Sequence, residues 1–161
     1  MNEITFKPIG IIYSPFKTIE NIPIQNIGAK GVKGTIEIFK EFVTGLKDLD
    51  GFSHLILIYH LHKVIHDSLL VKPFLDTVEH GIFGTRSPVR PNPIGLTVVK
   101  LIEIKNNLIT IENLDILYET PLLDIKPYLP MIDDMKDIRI GWLNDKIEQF
   151  ETKKSDNRFI N

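Results

Sequence analysis

The sequence predicts a mainly β protein: a small antiparallel barrel of about seven short strands, with short helices and a carboxy-terminal helical segment. Three observations carry this. Short runs of alternating or continuously apolar residues recur along the chain, each bounded by Gly, Pro, Asn or Asp. The intervals leave little room for the crossover helices that a parallel sheet requires, which favours an antiparallel sheet closed on itself over a doubly wound one. The length of 161 residues, 43% hydrophobic and 25% charged, suits one core and one domain, taken as residues 1–161.

Residues 4–13 read as the first strand, although the apolar parity switches from Ile4 and Phe6 to Ile9, Ile11 and Tyr13 across Pro8, as at a bulge or edge bend. Residues 18–34 have no sustained period and contain Pro23, Gly28, Gly31 and Gly34, so they predict a long loop of the kind that is usually functional or disordered. Residues 35–39 alternate as a second strand, and residues 43–50, with Leu46 and Leu49 three apart, predict a helical turn. Residues 55–62 begin apolar on both faces, as in a central strand, and alternation puts His60 and His62 on the face of Ile56 and Ile58. The linker around Pro73 has room for a short helix. Residues 94–104 form the next strand, joined through Lys105-Asn106-Asn107 to residues 108–111 in a hairpin. Residues 114–117 and 122–128 supply two more extended pieces, and residues 145–154 predict a helix with Asn144 as its N-cap.

Composition narrows the function. With no cysteine, disulfides, thiolate nucleophiles and cysteine-ligated zinc are excluded. The longest apolar run, residues 55–59, is too short to span a bilayer, and the amino terminus lacks a basic and apolar leader, so a cytoplasmic protein is expected. A net charge of −2 argues against strong non-specific adhesion to nucleic acid. An RNA partner would need Lys63, Lys72, Arg86, Arg90 and Lys126 gathered locally; scattered, the same charges serve solubility. His54, His60, His62 and His66 invite a zinc reading, but no third ligand stands at a convincing spacing and no metal is predicted. No Gly-x-Gly-x-x-Gly lies between a strand and a helix, so a nucleotide ligand would have to be held by other means.

Residues 81–96 are the most constrained stretch. Pro88, Pro91 and Pro93 fix their own φ and push Ser87, Arg90 and Asn92 towards extended conformations, while Gly81, Gly84 and Gly95 frame the run. Thr85, Arg86, Ser87, Arg90 and Asn92 therefore sit as donors on a loop with little entropy left to lose on binding a ligand. The plain alternative is a rigid surface loop whose arginines only brace it.

Residues 84–96, Gly-Thr-Arg-Ser-Pro-Val-Arg-Pro-Asn-Pro-Ile-Gly-Leu, resemble the signature of the TrmO (YaeB-like) family of S-adenosylmethionine-dependent tRNA methyltransferases. Three more segments match in order: Ile-Gly-Ile-Ile-Tyr-Ser-Pro-Phe-Lys at 9–17, Leu-Asp-Gly-Phe-Ser-His-Leu at 49–55 and Thr-Pro-Leu-Leu-Asp-Ile-Lys-Pro-Tyr at 120–128. The resemblance implies a β-barrel homodimer that uses S-adenosyl-L-methionine to methylate N6 of the threonylcarbamoyl-adenosine next to the tRNA anticodon. It also implies a donor site at Asn26, Ile27, Gly28, His62, Lys63, Arg86, Leu96, Tyr118, Glu119, Thr120 and Pro121. Where the family has Asp-Gly before Thr-Pro, this chain has Tyr118-Glu119, and the carboxy-terminal extension of longer members is missing.

Methylation of an exocyclic adenine nitrogen needs an acceptor that holds its hydrogen and aims the lone pair at the donor methyl, so orientation dominates. The amide oxygen of Asn92, between two prolines, is one candidate acceptor, and Asp124 is the nearest carboxylate in the other motif. Arg86 and Arg90 suit a threonylcarbamoyl carboxylate or a phosphate in bidentate fashion. The expected catalytic set is thus Asn92, Arg86 and Asp124, with Arg90 and Lys126 on the substrate. The alternative is a small barrel that binds RNA or S-adenosylmethionine without chemistry, although exposed aromatics interleaved with basic residues are few.

Overall fold

The computed structural model describes residues 3–136 and 138–159, and in it six strands close an antiparallel barrel. They are β1 (Gly10–Tyr13), β2 (Lys33–Ile38), β3 (His54–His60), β6 (Ile94–Lys105), β7 (Leu108–Glu112) and β8 (Thr120–Pro127), ordered β1-β2-β7-β6-β3-β8 and back to β1. Two short strands, β4 (Leu70–Val71) and β5 (His80–Gly81), form a separate ribbon. The barrel is the predicted one. Its wall has six strands rather than about seven because residues 114–117 join no ladder.

Several boundaries differ from expectation, each for a local reason. β1 starts at Gly10, not residue 4, and Pro8 just before it has no N–H to offer a ladder. β3 ends at His60 because the next ladder bond, Leu61 N–H to Pro93 O, cannot be returned by a proline, and His62 N–H turns back to His60 O, both at 2.8 Å. His62 is therefore not on the strand face that carries His60. Residues 43–50 run from one 3-10 turn, Lys40–Leu46, into another, Leu49–Gly51, and the linker around Pro73 forms the β4–β5 ribbon instead of a helix. The predicted helix at 145–154 is a 3-10 turn at Ile147–Glu151, preceded by another at Gly141–Leu143 that Asn144 closes rather than caps. Among the described residues the one α-helical turn is Pro130–Asp133. Tail residues Trp142, Leu143, Ile147 and Phe150 are drawn onto neighbouring loops, so no helical stripe is needed to bury them.

Alternate side chains point inward from each strand, and Ile12, Ile36, Leu55, Leu57, Val99, Ile109 and Leu122 are fully buried. Each stabilises the fold by about 1.5–3 kcal/mol through burial. Gly95 also faces inward. A Cβ there would stand 2.2 Å from the Tyr59 ring, so the ring occupies the space that glycine leaves.

Strict antiparallel order decides where the connections go. Three of them, residues 14–32, 61–93 and 113–119, including the two longest, emerge at one end of the barrel. The opposite end has residues 39–53 and the tight Asn106-Asn107 turn, with Asn106 at φ 56° as a two-residue hairpin prefers. At the long-loop end the wall also splays. β6 and β7 pair only as far as Lys100 and Glu112, so residues 94–99 have a partner on the β3 side alone. Into that gap Asn26 Nδ2 donates to Val98 O at 2.8 Å, docking the 3-10 turn Asn26–Ala29 on β6.

Candidate functional site

The signature loop is braced from within. After the 3-10 turn Ile82–Gly84, Thr85 Oγ1 donates to Ile82 O at 2.9 Å and accepts from Ser87 N–H at 3.2 Å. Arg90 Nη1 donates to the carbonyls of Thr85 at 2.9 Å and Ile82 at 3.2 Å. Buried Ile82 and Val89 pack with Val71 beneath them. Arg90 thus does what a bracing arginine does, whereas Arg86 is exposed and gives a single bond to Gln25 Oε1 at 2.8 Å. That bond links two connections 61 residues apart in sequence.

Two cavities adjoin at this end. A cleft of about 670 Å³ lies between the 14–32 connection, the signature loop and the tail, with Asn26, Ile27 and Arg86 on its lining beside Phe83, Trp142 and Phe150. A smaller cavity of about 150 Å³ lies at the barrel mouth, lined by Tyr59, His62, Lys63, Pro88, Asp115 and Thr120 among others. Phe74 and Phe159 face both. Thr120 Oγ1 donates to Leu117 O at 2.8 Å and lies 3.4 Å from His62 Nδ1.

Burial sets the charges in the smaller cavity. It lowers the pKa of His62, helped by the Lys63 charge, so the imidazole is neutral at neutral pH. It raises the Tyr59 phenol far above its ordinary value, and Asp115 adds to this. It pushes the Asp115 carboxyl up to about 6, against the opposing pull of the Thr97 hydroxyl and, at a distance, Arg86. Among the described residues, Asp115 Oδ1 and Ser87 Oγ are enclosed side-chain atoms with no hydrogen-bond partner. Asp115 lines the smaller cavity and Ser87 the larger.

The other expected residues lie around these cavities. Gly28 packs on the tail, where a Cβ would come within 3.0 Å of Phe150 O. Tyr118 and Glu119 lead into β8, whose second residue is Pro121; the Tyr118 ring rests against Tyr13, and Glu119 has φ 60°, the left-handed conformation that a glycine takes most readily. Asn92 is exposed at the end of the signature loop, with no hydrogen bond from its side chain among the described residues. Leu96 and Asp124 stand on the outer wall, each opposite Ile58 from one side, and Leu96 is 55% exposed. Asp124 pairs with Lys126 at 2.8 Å. Among the described residues no three His, Asp or Glu side chains are grouped to hold a metal ion, and no helix is long and apolar enough to cross a membrane.

Asp115, Tyr59, Gln25 and Trp142 were not expected here. For Asp115 a signal exists in the sequence: it is the one acid within the apolar run of residues 114–117. Its flanking Leu114 and Ile116 are buried, which presents the carboxyl to the cavity.

Residues 11–134 match the family model described as the tRNA-methyltransferase O N-terminal domain. The chain is 51% identical over 157 residues to a probable S-adenosyl-L-methionine-binding protein of Pyrococcus abyssi, covering 98% of this chain and 85% of that one. It is 33% identical over 147 residues to the tRNA (adenine(37)-N6)-methyltransferase of Escherichia coli, covering 85% of this chain and 63% of that one. The fold is similar to the crystal structure of TrmO from Pseudomonas aeruginosa, with a TM-score of 0.74 and 34% identity, over 88% of this chain and 63% of that one. The chain thus spans less than two thirds of these bacterial proteins.

Proposed function

The chain belongs to the tRNA-methyltransferase O N-terminal domain family, and from that premise we propose that it is an S-adenosylmethionine-dependent methyltransferase acting on N6 of a threonylcarbamoyl-adenosine beside a tRNA anticodon. The observation that carries this reading is topological. Asn26, Ile27, His62, Lys63, Arg86 and Thr120 come from distant parts of the sequence and line adjoining cavities at one end of the barrel. The larger cleft, about 670 Å³, is within the range of roughly 300–1,000 Å³ common for small-molecule sites. Its aromatic and aliphatic wall, with Gln25, Asn26 and Arg86 at the edge, suits a purine nucleoside.

S-adenosylmethionine, when bound, supplies a methyl group on a cationic sulfur. The chain supplies orientation. Arg86 presents a guanidinium that binds the threonylcarbamoyl carboxylate or a phosphate, whereas Arg90 keeps the loop rigid beneath it. The Asn92 amide oxygen accepts a hydrogen bond from the target N–H and so turns the nitrogen's lone pair out of the ring π system; as the nitrogen–methyl bond forms and the sulfur–methyl bond breaks, the displaced proton passes to solvent. Asp124 takes that role only for a substrate lying along the outer wall, where Lys126 would meet its phosphates. The protein works in this reading as a cytoplasmic homodimer.

Arg86→Ala tests the assignment. The variant should melt within about 0.5 kcal/mol of wild type, since the side chain is exposed. Donor affinity by calorimetry, or labelled-methyl transfer to threonylcarbamoylated tRNA, should fall tenfold or more, because charged hydrogen bonds are worth about 1.5–3 kcal/mol. Equal affinity and transfer in the two folded proteins would remove Arg86 from the site. Donor binding by wild type without transfer to modified or unmodified tRNA would favour a module that only binds S-adenosylmethionine, the property for which the Pyrococcus abyssi relative is named.

A further inference from the structure

We propose that Asp115 holds the α-ammonium group of the methyl donor, and that the small cavity at the barrel mouth is the subsite for the donor's amino-acid end. This rests on the donor reading above and specifies which end of the ligand lies where.

The carboxyl is placed there by the fold. Residues 94–99 of β6 lack a partner on the β7 side, and the connection leaving β7 brings Asp115 to the Thr97 hydroxyl of that stretch and onto the lining of the small cavity. Buried Leu114 and Ile116 anchor the backbone on either side. Oδ1 has no hydrogen-bond partner; the donors near the group are neutral, the Thr97 hydroxyl and its own backbone N–H, and Arg86, the cation that acts on it, does so only from a distance. A buried acceptor left unmatched is destabilising and uncommon, so its natural complement is a donor that a ligand brings.

The chemistry of the ligand selects that donor. The sulfonium of S-adenosylmethionine has no N–H or O–H, and its adenine amino group and ribose hydroxyls are neutral. The α-ammonium carries a full charge and three N–H bonds, the best match for a lone carboxylate. Size agrees. At about 150 Å³ the cavity is less than a quarter of the 670 Å³ cleft beside it, so it suits the smaller, amino-acid end of the donor and leaves to the other cleft the nucleoside, which needs more room. The larger cleft, across Phe74 and Phe159, has that room. Lys63 on the same small cavity is the cation available to the donor's α-carboxylate, and neutral His62 does not compete for Asp115.

Calorimetry on the full chain separates the outcomes, using S-adenosylmethionine, S-adenosylhomocysteine, its analogue lacking the α-amino group, and 5′-methylthioadenosine, which keeps the nucleoside and lacks the amino-acid end. Asp115→Asn should weaken the first two alike by tenfold or more, and leave the last two unchanged between variant and wild type. Equal affinity for S-adenosylhomocysteine in both proteins would overturn the proposal while the donor site stands. A loss confined to S-adenosylmethionine would assign Asp115 to the sulfonium instead, and an equal loss for 5′-methylthioadenosine would make it a structural residue. Wild type binding none of the four would refute the donor reading and this inference together. Asp115→Ser is the second variant should Asp115→Asn not fold.

Discussion

A carboxyl whose pKa is about 6 in the folded chain, against an ordinary 3.8, binds a proton more readily in the native state than in the unfolded one. Between those values the native state carries the excess proton, so the contribution of Asp115 to stability falls as pH rises from about 4 to about 6 and stays low above that. The shift corresponds to a penalty on the order of 2–3 kcal/mol at neutral pH. Asp76 and Asp156 are held low, Asp76 by Lys146 and His80 and Asp156 by Arg158, and they act in the opposite sense, losing their contribution only in acid. Comparing Asp115→Asn with wild type cancels those groups. The variant is predicted to gain more stability over wild type at pH 7.5 than at pH 4, measured by denaturant melts at both values; a gap independent of pH would contradict the raised pKa. A residue kept for binding should behave this way, stabilising the empty protein when neutralised while weakening its ligand. Gly95 shows what single residues disclose before a structure exists: the signature marked it as special, but that Tyr59 needs its missing Cβ depends on a contact 36 positions away.

The tail, residues 138–159, is the element with the weakest imprint in the sequence, because its order comes from what it touches. Trp142 Nε1 donates to Gly84 O at 2.8 Å and its ring stacks on His80 with centroids 4.2 Å apart. Lys146 pairs with Asp76, Pro23 and Lys154 form an antiparallel bridge, and Ser155 N–H donates to Ile22 O at 2.8 Å. Propensity alone favoured a helix with Asn144 as its cap; these contacts, none local, won instead. The central strands were legible because alternation and turn residues act over a few positions, whereas β3 stops short of His62 at the point where Leu61 meets Pro93, 32 residues on, which has no N–H to return. Since the tail forms one wall of the larger cleft, Trp142→Ala is predicted to loosen it without unfolding the barrel. Hydrogen exchange should rise across residues 140–159 and stay protected in β3 and β6, with donor affinity falling severalfold. Uniform loss of protection across the barrel strands would show instead that the tail is part of one cooperative unit.

On the scale of the molecule, the antiparallel order does the gathering: each motif segment is short, and only the alternation of strand direction brings the ends of β1, β3 and β7 and the starts of β2, β6 and β8 to one rim. The motifs revealed which residues matter, and the closed topology decides which of them meet. Leu96 stands apart from this pattern. It belongs to the expected donor site, yet it projects from the outer wall, 55% exposed, next to Ile94 at 39% on the same strand face. Asn26 docks on that strand at Val98, two positions away, so this wall backs onto the site. In the proposed homodimer a second copy covers this wall, which removes exposed apolar side chains from water and puts Leu96 in the company of a donor site. Sedimentation at micromolar concentration should then give twice the 18.5 kDa chain mass, and Leu96→Glu, which sets a charge on the contact, should shift the population to the single chain with the barrel's melting unchanged. A wild type that sediments as 18.5 kDa would leave Leu96 on an open wall and return the donor site to one chain alone.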